Sequence, residues 1–188
     1  MQMMENIKVF DNFFSEELRQ EIWEKMMRPK WNFTGGNMTC KFWHMDHLEE
    51  EEYFNTHLYN HILKKLGPRF QRIIIGHSRI YANGMSACQC GNPHRDDGDL
   101  TFLYYPNPKW PFWWQGHLMF LNKIDDPPAA DGGNYHPSDD DDVIKTIAYK
   151  PNRAVLFPAN YYHYAQAPHR KFHGLRVSLA YKFLVQPS

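Results

Sequence analysis

The chain has 188 residues, 43% hydrophobic and 22% charged, with 21 basic and 21 acidic side chains and a formal net charge of zero. That length buries a sizeable core without disulfide or metal staples, and the composition excludes wholesale disorder. A neutral balance argues against a protein that lives on a nucleic-acid backbone or an anionic membrane surface.

Residues 6–10 read as a short strand or lead-in. Ser15 reads as an N-cap, and Glu16 and Glu17 in the first turn favour the helix dipole, so a helix is expected to about Met27, stopped by Pro29. Segment 31–48 holds Gly35-Gly36 and mixed polarity and reads as loop with short strands. Phe54, Leu58, Ile62 and Leu66 recur every four residues, which predicts a second helix from Glu51 to Leu66, ended by Gly67 and Pro68. Strand-like pieces follow at 72–82, 100–105, 116–121, 146–149, 153–157, 161–166 and 175–185. In the last, Leu175, Val177, Leu179, Tyr181 and Phe183 alternate with Arg176, Ser178, Ala180 and Lys182. Helices followed by about eight short strands predict a mainly β fold, a jelly roll backed by N-terminal helices. The whole of 1–188 reads as one domain, with 1–70 as helical support, 71–188 as the jelly-roll core and 122–145 as a surface insertion. Cys40, Cys88 and Cys90 make no disulfide framework, so a reducing, cytoplasmic setting is expected. Residues 1–10 lack an apolar signal core, no run reaches membrane-spanning length, and no membrane partner is expected.

The chemistry concentrates at His94-Arg95-Asp96. In an extended chain, residues i and i+2 point the same way, so one short segment can offer a metal both an imidazole and a carboxylate. A second His completes the 2-His-1-carboxylate face of non-haem Fe(II) sites. The motif alone is weak: with 11 His in the chain, about one His-x-Asp is expected from composition. His44-Met45-Asp46 is a second match and reads as the chance one. What selects His94 is the order that follows it. A turn at Asp97-Gly98-Asp99 leads to the strand Leu100 to Tyr105, then Trp110 and Gly116 to Phe120, then Arg153 to Pro158, His163, and a final strand opened by Arg176-Val177-Ser178. Arg and Ser on one face beside a metal-binding His are what a dicarboxylate co-substrate needs.

This set resembles the 2-oxoglutarate- and Fe(II)-dependent oxygenases of the prolyl 4-hydroxylase-like superfamily, most of all compact bacterial and phage members. The resemblance spans roughly 72–185 and extends to the phrase Val9 to Ser15. It implies a double-stranded β-helix with His94, Asp96 and His163 as Fe(II) ligands. Arg176, assisted by Ser178 and Tyr105, would hold the distal carboxylate of 2-oxoglutarate, and Tyr81 would line the pocket. It also implies O₂ as co-substrate, ascorbate as a candidate reductant, and hydroxylation of an unactivated C–H. The first-choice substrate is a prolyl or other peptidyl side chain, ahead of a small molecule, with nucleic acid disfavoured. His169 and His173 are rivals to His163, but both fall in a turn. Cys88-Gln89-Cys90 is too short for a zinc site and reads as small strand residues. Trp110, Trp113 and Trp114 read equally as a substrate groove or as packing, and His117 as structural. Two other readings use the same ligands: a non-catalytic jelly-roll binding module, and a metal-dependent hydrolase or isomerase.

Overall fold

The computed structural model describes residues 6–36, 41–122 and 140–186. Strand β1 (Lys8–Phe10) precedes helix α1 (Glu16–Met26). Ser15 Oγ accepts the Leu18 N–H at 3.4 Å, and the i, i+4, i+8 stripe of Leu18, Ile22 and Met26 is buried. Segment 31–48 contains an antiparallel pair, β2 (Asn32–Gly36) and β3 (Lys41–Met45).

The expected helix from Glu51 to Leu66 starts at Tyr53 and comes in two parts, a π-helical stretch Tyr53–Leu58 running into α2 (Tyr59–Leu66). The cause lies in its spacing. A repeat of four residues overshoots the 3.6-residue turn by about 40° per step, so the four positions from Phe54 to Leu66 would drift by about 120° along a regular α-helix, against about 80° for the three positions of α1. The wider π stretch takes up that drift, and Phe54, Leu58, Ile62 and Leu66 all stay buried. Gly67, at φ +90°, redirects the chain, and Pro68 opens a further short helix, α3 (Pro68–Ile73), where a strand was expected from residue 72. Proline suits that first helical position because it has no N–H to leave unpaired.

Seven strands follow among the described residues: β4 (Ile74–Met85), β5 (Leu100–Tyr104), β6 (Leu118–Leu121), β7 (Val143–Ile147), β8 (Ala154–Pro158), β9 (His163–Ala165) and β10 (Arg176–Val185). They form two antiparallel sheets, ordered β1-β8-β5-β10-β4-β3-β2 and β7-β6-β9, the jelly-roll arrangement expected. Strand β7 begins three residues earlier than predicted. The Asn122 amide donates to the Asp140 carbonyl at 2.8 Å and accepts the Asp142 N–H at 3.0 Å, which brings Val143 into register with Leu121. Most of the expected insertion, residues 123–139, lies outside the described residues. Cys88 stands in a turn at φ +63°, not in a strand as expected, and its thiol is free and exposed.

One core fills the space between the helices and the large sheet, with Ile22, Met26, Phe54, Phe102, Leu179 and Tyr181 at its centre. A second, aromatic core lies between the two sheets around Tyr105, Trp110, Phe120, Tyr149 and Phe157. The predicted alternation of β10 is present, but both of its faces are buried from Arg176 to Phe183. Its apolar face joins the first core. Its Arg176-Ser178-Ala180-Lys182 face floors a cavity at the open end of the sandwich.

Candidate active site

His94 and His163 are paired backbone to backbone, each N–H donating to the other's carbonyl at 3.0 Å. Such a directly opposed pair sends both side chains to one side. The ring centroids are 4.5 Å apart. Asp96, two residues on, donates its N–H to the Ala159 carbonyl at 2.9 Å and turns its carboxylate to the same side. Asp96 Oδ1 lies 3.4 Å from His94 Nε2, and Oδ2 lies 3.3 Å from His163 Nε2. One ligand atom from each of the three residues falls within 4.8 Å of the others, so the group could hold a metal ion.

Both rings are oriented from behind. His94 Nδ1–H donates to the Asn92 carbonyl at 2.8 Å and His163 Nδ1–H to the Tyr161 carbonyl at 2.9 Å. Those bonds fix the tautomer that leaves each Nε2 lone pair facing inward. Burial pushes the His163 pKa down to about 4, so this ring is neutral at physiological pH. Burial works to raise the Asp96 pKa, but the Lys182 ammonium, followed by His163 and His94, outweighs it and holds the carboxyl well below the usual carboxylate range. Lys182 and Thr101 sit opposite each other on β10 and β5. Thr101 donates to Asp96 Oδ2 at 2.6 Å, and Lys182 pairs with the same oxygen. Burial disfavours the Lys182 charge, but Tyr81 and Asp96 more than offset it and raise the ammonium's pKa.

The second half of the site is cationic. Arg176 is 1% exposed. Its Nε donates to the Gly116 carbonyl at 2.7 Å, and its guanidinium carbon lies 4.8 Å from the Tyr149 ring centre and 5.6 Å from that of Tyr105. Arg176 Nη1 and the Tyr105 hydroxyl are both buried with no hydrogen-bond partner among the described residues. A buried charge without a counter-ion is costly, as is a buried donor without an acceptor. Burial lowers the Arg176 pKa and pushes the Tyr105 hydroxyl up to about 12, with Arg176 opposing the latter.

His94, Asp96, His163, Arg176, Ser178 and Tyr81 line one cavity of about 560 Å³. Tyr105 stands behind Arg176, stacked on Tyr149 at 4.3 Å between ring centres. His169 is held in a turn by its N–H bond to the Trp114 carbonyl and takes no part. Trp110 is buried in the second core and Trp114 packs against it, whereas Trp113 is 47% exposed; none of the three lines the cavity. His117 is structural, its Nδ1 accepting the Tyr149 N–H at 3.2 Å. Three features were not read from the sequence. His44, Asp46 and Arg79 form an outer wall of the cavity, with Arg79 4.4 Å above the Tyr81 ring. Tyr149 closes the floor behind Arg176, and Lys182 with Thr101 engages Asp96. The signal for Lys182 was its place on the polar stripe with Arg176 and Ser178.

No protein-family model and no curated protein matches the chain. Solved structures do. A 2OG-Fe(II) oxygenase-family oxidoreductase from Burkholderia pseudomallei matches over 97% of this chain and 86% of its own, at 13% identity and TM-score 0.67. A Trichoplax adhaerens prolyl hydroxylase in complex with a hypoxia inducible factor peptide matches over 95% and 83%, at 14% identity and TM-score 0.61. The epimerase SnoN, in complex with Fe3+, alpha ketoglutarate and nogalamycin RO, matches over 95% and 78%, at 10% identity and TM-score 0.68. The fold of these oxygenases is the fold of this chain, as the resemblance in the sequence implied. No helix among the described residues is long and apolar enough to cross a membrane.

Proposed function

We propose that the chain is an Fe(II)- and 2-oxoglutarate-dependent dioxygenase that hydroxylates an unactivated C–H, with a prolyl or other peptidyl side chain as the first-choice substrate. The observation that carries this reading is Arg176: a fully buried guanidinium with an unpartnered Nη1, beside an unpartnered Tyr105 hydroxyl, at the floor of the cavity that holds the His94, Asp96 and His163 side chains. A dicarboxylate answers all of these needs together. Neither a hydrolase nor a simple binding module requires such a grip.

His94 Nε2, His163 Nε2 and one Asp96 oxygen would hold Fe(II). Arg176 would take the distal carboxylate of 2-oxoglutarate, with Tyr105 and Ser178 donating hydroxyl hydrogen bonds. Bound iron, 2-oxoglutarate and O₂ supply the oxidising power to convert C–H to C–OH, with release of succinate and CO₂. The protein's share is positional. Backbone carbonyls lock both imidazoles, the aromatic floor of Tyr105 and Tyr149 excludes water behind the co-substrate, and Tyr81 forms one side wall. The outer wall of His44, Asp46 and Arg79 offers donors and acceptors of both signs, which suits a polar peptide backbone better than an apolar ligand. The Trichoplax neighbour carries a peptide, which supports the same choice.

The test is an anaerobic titration of metal-free protein with Fe(II) and then 2-oxoglutarate. A visible metal-to-ligand charge-transfer band is expected, and succinate once oxygen is admitted. Arg176→Met should lose no metal affinity and weaken 2-oxoglutarate about 10- to 100-fold, the loss of charge-assisted hydrogen bonds. Unchanged 2-oxoglutarate affinity in that variant would overturn the assignment.

A further inference from the structure

Lys182 is as deeply buried as Arg176, at 1% exposed, and stands six residues along the same face of β10. The Asp96 carboxylate is therefore not carried by its loop alone. Beyond it, Gly98 (φ +81°) presses on the strand so closely that a Cβ there would lie 3.0 Å from the Phe183 carbonyl and 3.6 Å from Lys182 Cβ. Asp99 N–H donates to that carbonyl at 2.9 Å, and Asp99 Oδ2 accepts the Val185 N–H at 2.8 Å. Asp96 is thus stapled onto Lys182, which also donates to Thr101 Oγ1 at 3.3 Å and lies 5.3 Å from the Tyr81 ring centre.

A stability role explains this poorly, because buried ion pairs are often no better than apolar packing of the same volume. The place of the pair suggests more. Resting on the reading of His94, Asp96 and His163 as the metal ligands, we propose that Lys182 is an internal counter-cation that makes metal binding depend on the dicarboxylate. Alone with Asp96, the ammonium neutralises the carboxylate and holds its Oδ2. A divalent cation arriving by itself meets the fixed positive charges of Lys182 and Arg176 with one buried carboxylate, Asp96, to offset them, while at the solvent-facing rim Asp46 and Asp97 balance Arg79 and Arg95. Two fixed cations plus a divalent metal less one carboxylate leave a strong excess of positive charge in a desolvated cavity, where such an imbalance is costly. The two negative charges of 2-oxoglutarate remove most of the excess. Metal and co-substrate therefore bind cooperatively, and by linkage each tightens the other equally.

Mn(II) is the probe, since it takes the same nitrogen and oxygen ligands without oxidation. Free Mn(II) is followed by electron paramagnetic resonance in wild type, Lys182→Gln, Lys182→Met and Lys182→Arg, with and without saturating 2-oxoglutarate. In wild type and Lys182→Arg, 2-oxoglutarate is expected to tighten Mn(II) about tenfold or more. Lys182→Gln keeps a neutral donor for Asp96 and guards against a variant that fails to fold. Both neutral variants should bind Mn(II) alone about tenfold more tightly than wild type and show a clearly smaller effect of 2-oxoglutarate, since Arg176 and the metal still leave it some charge to offset. The metal-free Lys182→Met protein should melt below wild type and recover on adding Mn(II). Neutral variants that bind Mn(II) alone no more tightly than wild type, or that keep the full effect of 2-oxoglutarate, overturn the proposal. Wild type that fails to bind Mn(II) even with saturating 2-oxoglutarate, or an Arg176→Met protein with normal 2-oxoglutarate affinity, overturns the underlying site reading instead.

Discussion

Gly116 stands at φ +73°, and a Cβ placed on it would fall 2.9 Å from Arg176 Cδ, 3.0 Å from its Nε and 3.2 Å from Trp110 Cζ2. Its carbonyl also holds that Nε. Gly116→Ala therefore adds backbone strain of about 1 kcal/mol and pushes the guanidinium off its seat. The expected outcome is 2-oxoglutarate binding weakened about tenfold with Mn(II) binding unchanged, read by calorimetry of the two ligands separately. At this scale much of the site was legible. His94 and Asp96 were singled out by the order of strands that follows them, Arg176 and Ser178 by sharing one face of the last strand, and His163 by its place after Leu156-Phe157-Pro158. Lys182 and Thr101 were visible as residues but not as partners. Strand alternation assigns a side chain to a face, whereas what stands opposite depends on register between segments 81 residues apart. His44 and Asp46 were read as a chance match. They are no part of the triad, yet β3 pairs with β4 so that both reach the cavity, a juxtaposition no local motif encodes.

Elements meet through single polar residues as much as through ladders. Asn152 (φ +58°) is 5% exposed; its amide accepts the Phe14 N–H at 2.9 Å, donates to the Phe14 carbonyl at 2.8 Å and accepts the Tyr104 hydroxyl at 3.1 Å. It joins the chain before α1 to β5 and the turn before β8. Asn152→Ala would leave three buried groups without partners, so a loss of about 2–4 kcal/mol is expected in urea unfolding, with the ligand affinities of the folded protein intact. Element type was read well where a cap or a clean alternation was present, as in α1 and β10. It was read less well where two signals competed. Pro68 is a stop signal for one helix and an ideal start for another, and a four-residue repeat reads as α-helix, as it is in α1, even where it runs long enough for a π stretch to take up its drift.

For the whole molecule, pH and ligand act on one folding equilibrium. Asp11 is held down to about 2, chiefly by its hydrogen bond to Arg153 at 2.7 Å and then by Lys150 at 3.0 Å, with partial burial opposing. A carboxylate whose folded pKa is depressed contributes stability that is complete above its unfolded value, about 4, and is lost as the pH falls through the folded one. Asp96 acts in the same direction. Thermal melts of the metal-free protein should therefore show these contributions intact down to about pH 4 and lost below it. Arg153→Ala should bring the Asp11 titration, followed by carboxylate NMR, back toward the ordinary range. Near neutral pH, Mn(II) and 2-oxoglutarate together should raise the melting temperature. Ligand at a hundredfold over its dissociation constant adds about 2.7 kcal/mol, and Asp96→Ala should abolish the metal's part of that shift. The jelly-roll class was legible because helices followed by short alternating strands leave few other ways to bury their faces. The strand order within the large sheet was not, since it depends on pairings between distant segments.

That order has a consequence for synthesis. In the large sheet, β1-β8-β5 and β4-β3-β2 are two ribbons whose sole ladder contact among the described residues is β10 between them, and β10 follows every other described strand in the chain. As the polypeptide leaves the ribosome, neither ribbon can close on the other until Arg176–Val185 has emerged. Until then, β5 and β4 each present a bare row of amides and carbonyls, a template for pairing with another nascent chain. The strand that carries Arg176 is thus the keystone of assembly. A ribosome stalled just short of it releases an aggregation-prone pair of half-sheets, so this protein should depend on chaperone shelter more steeply than its modest length suggests.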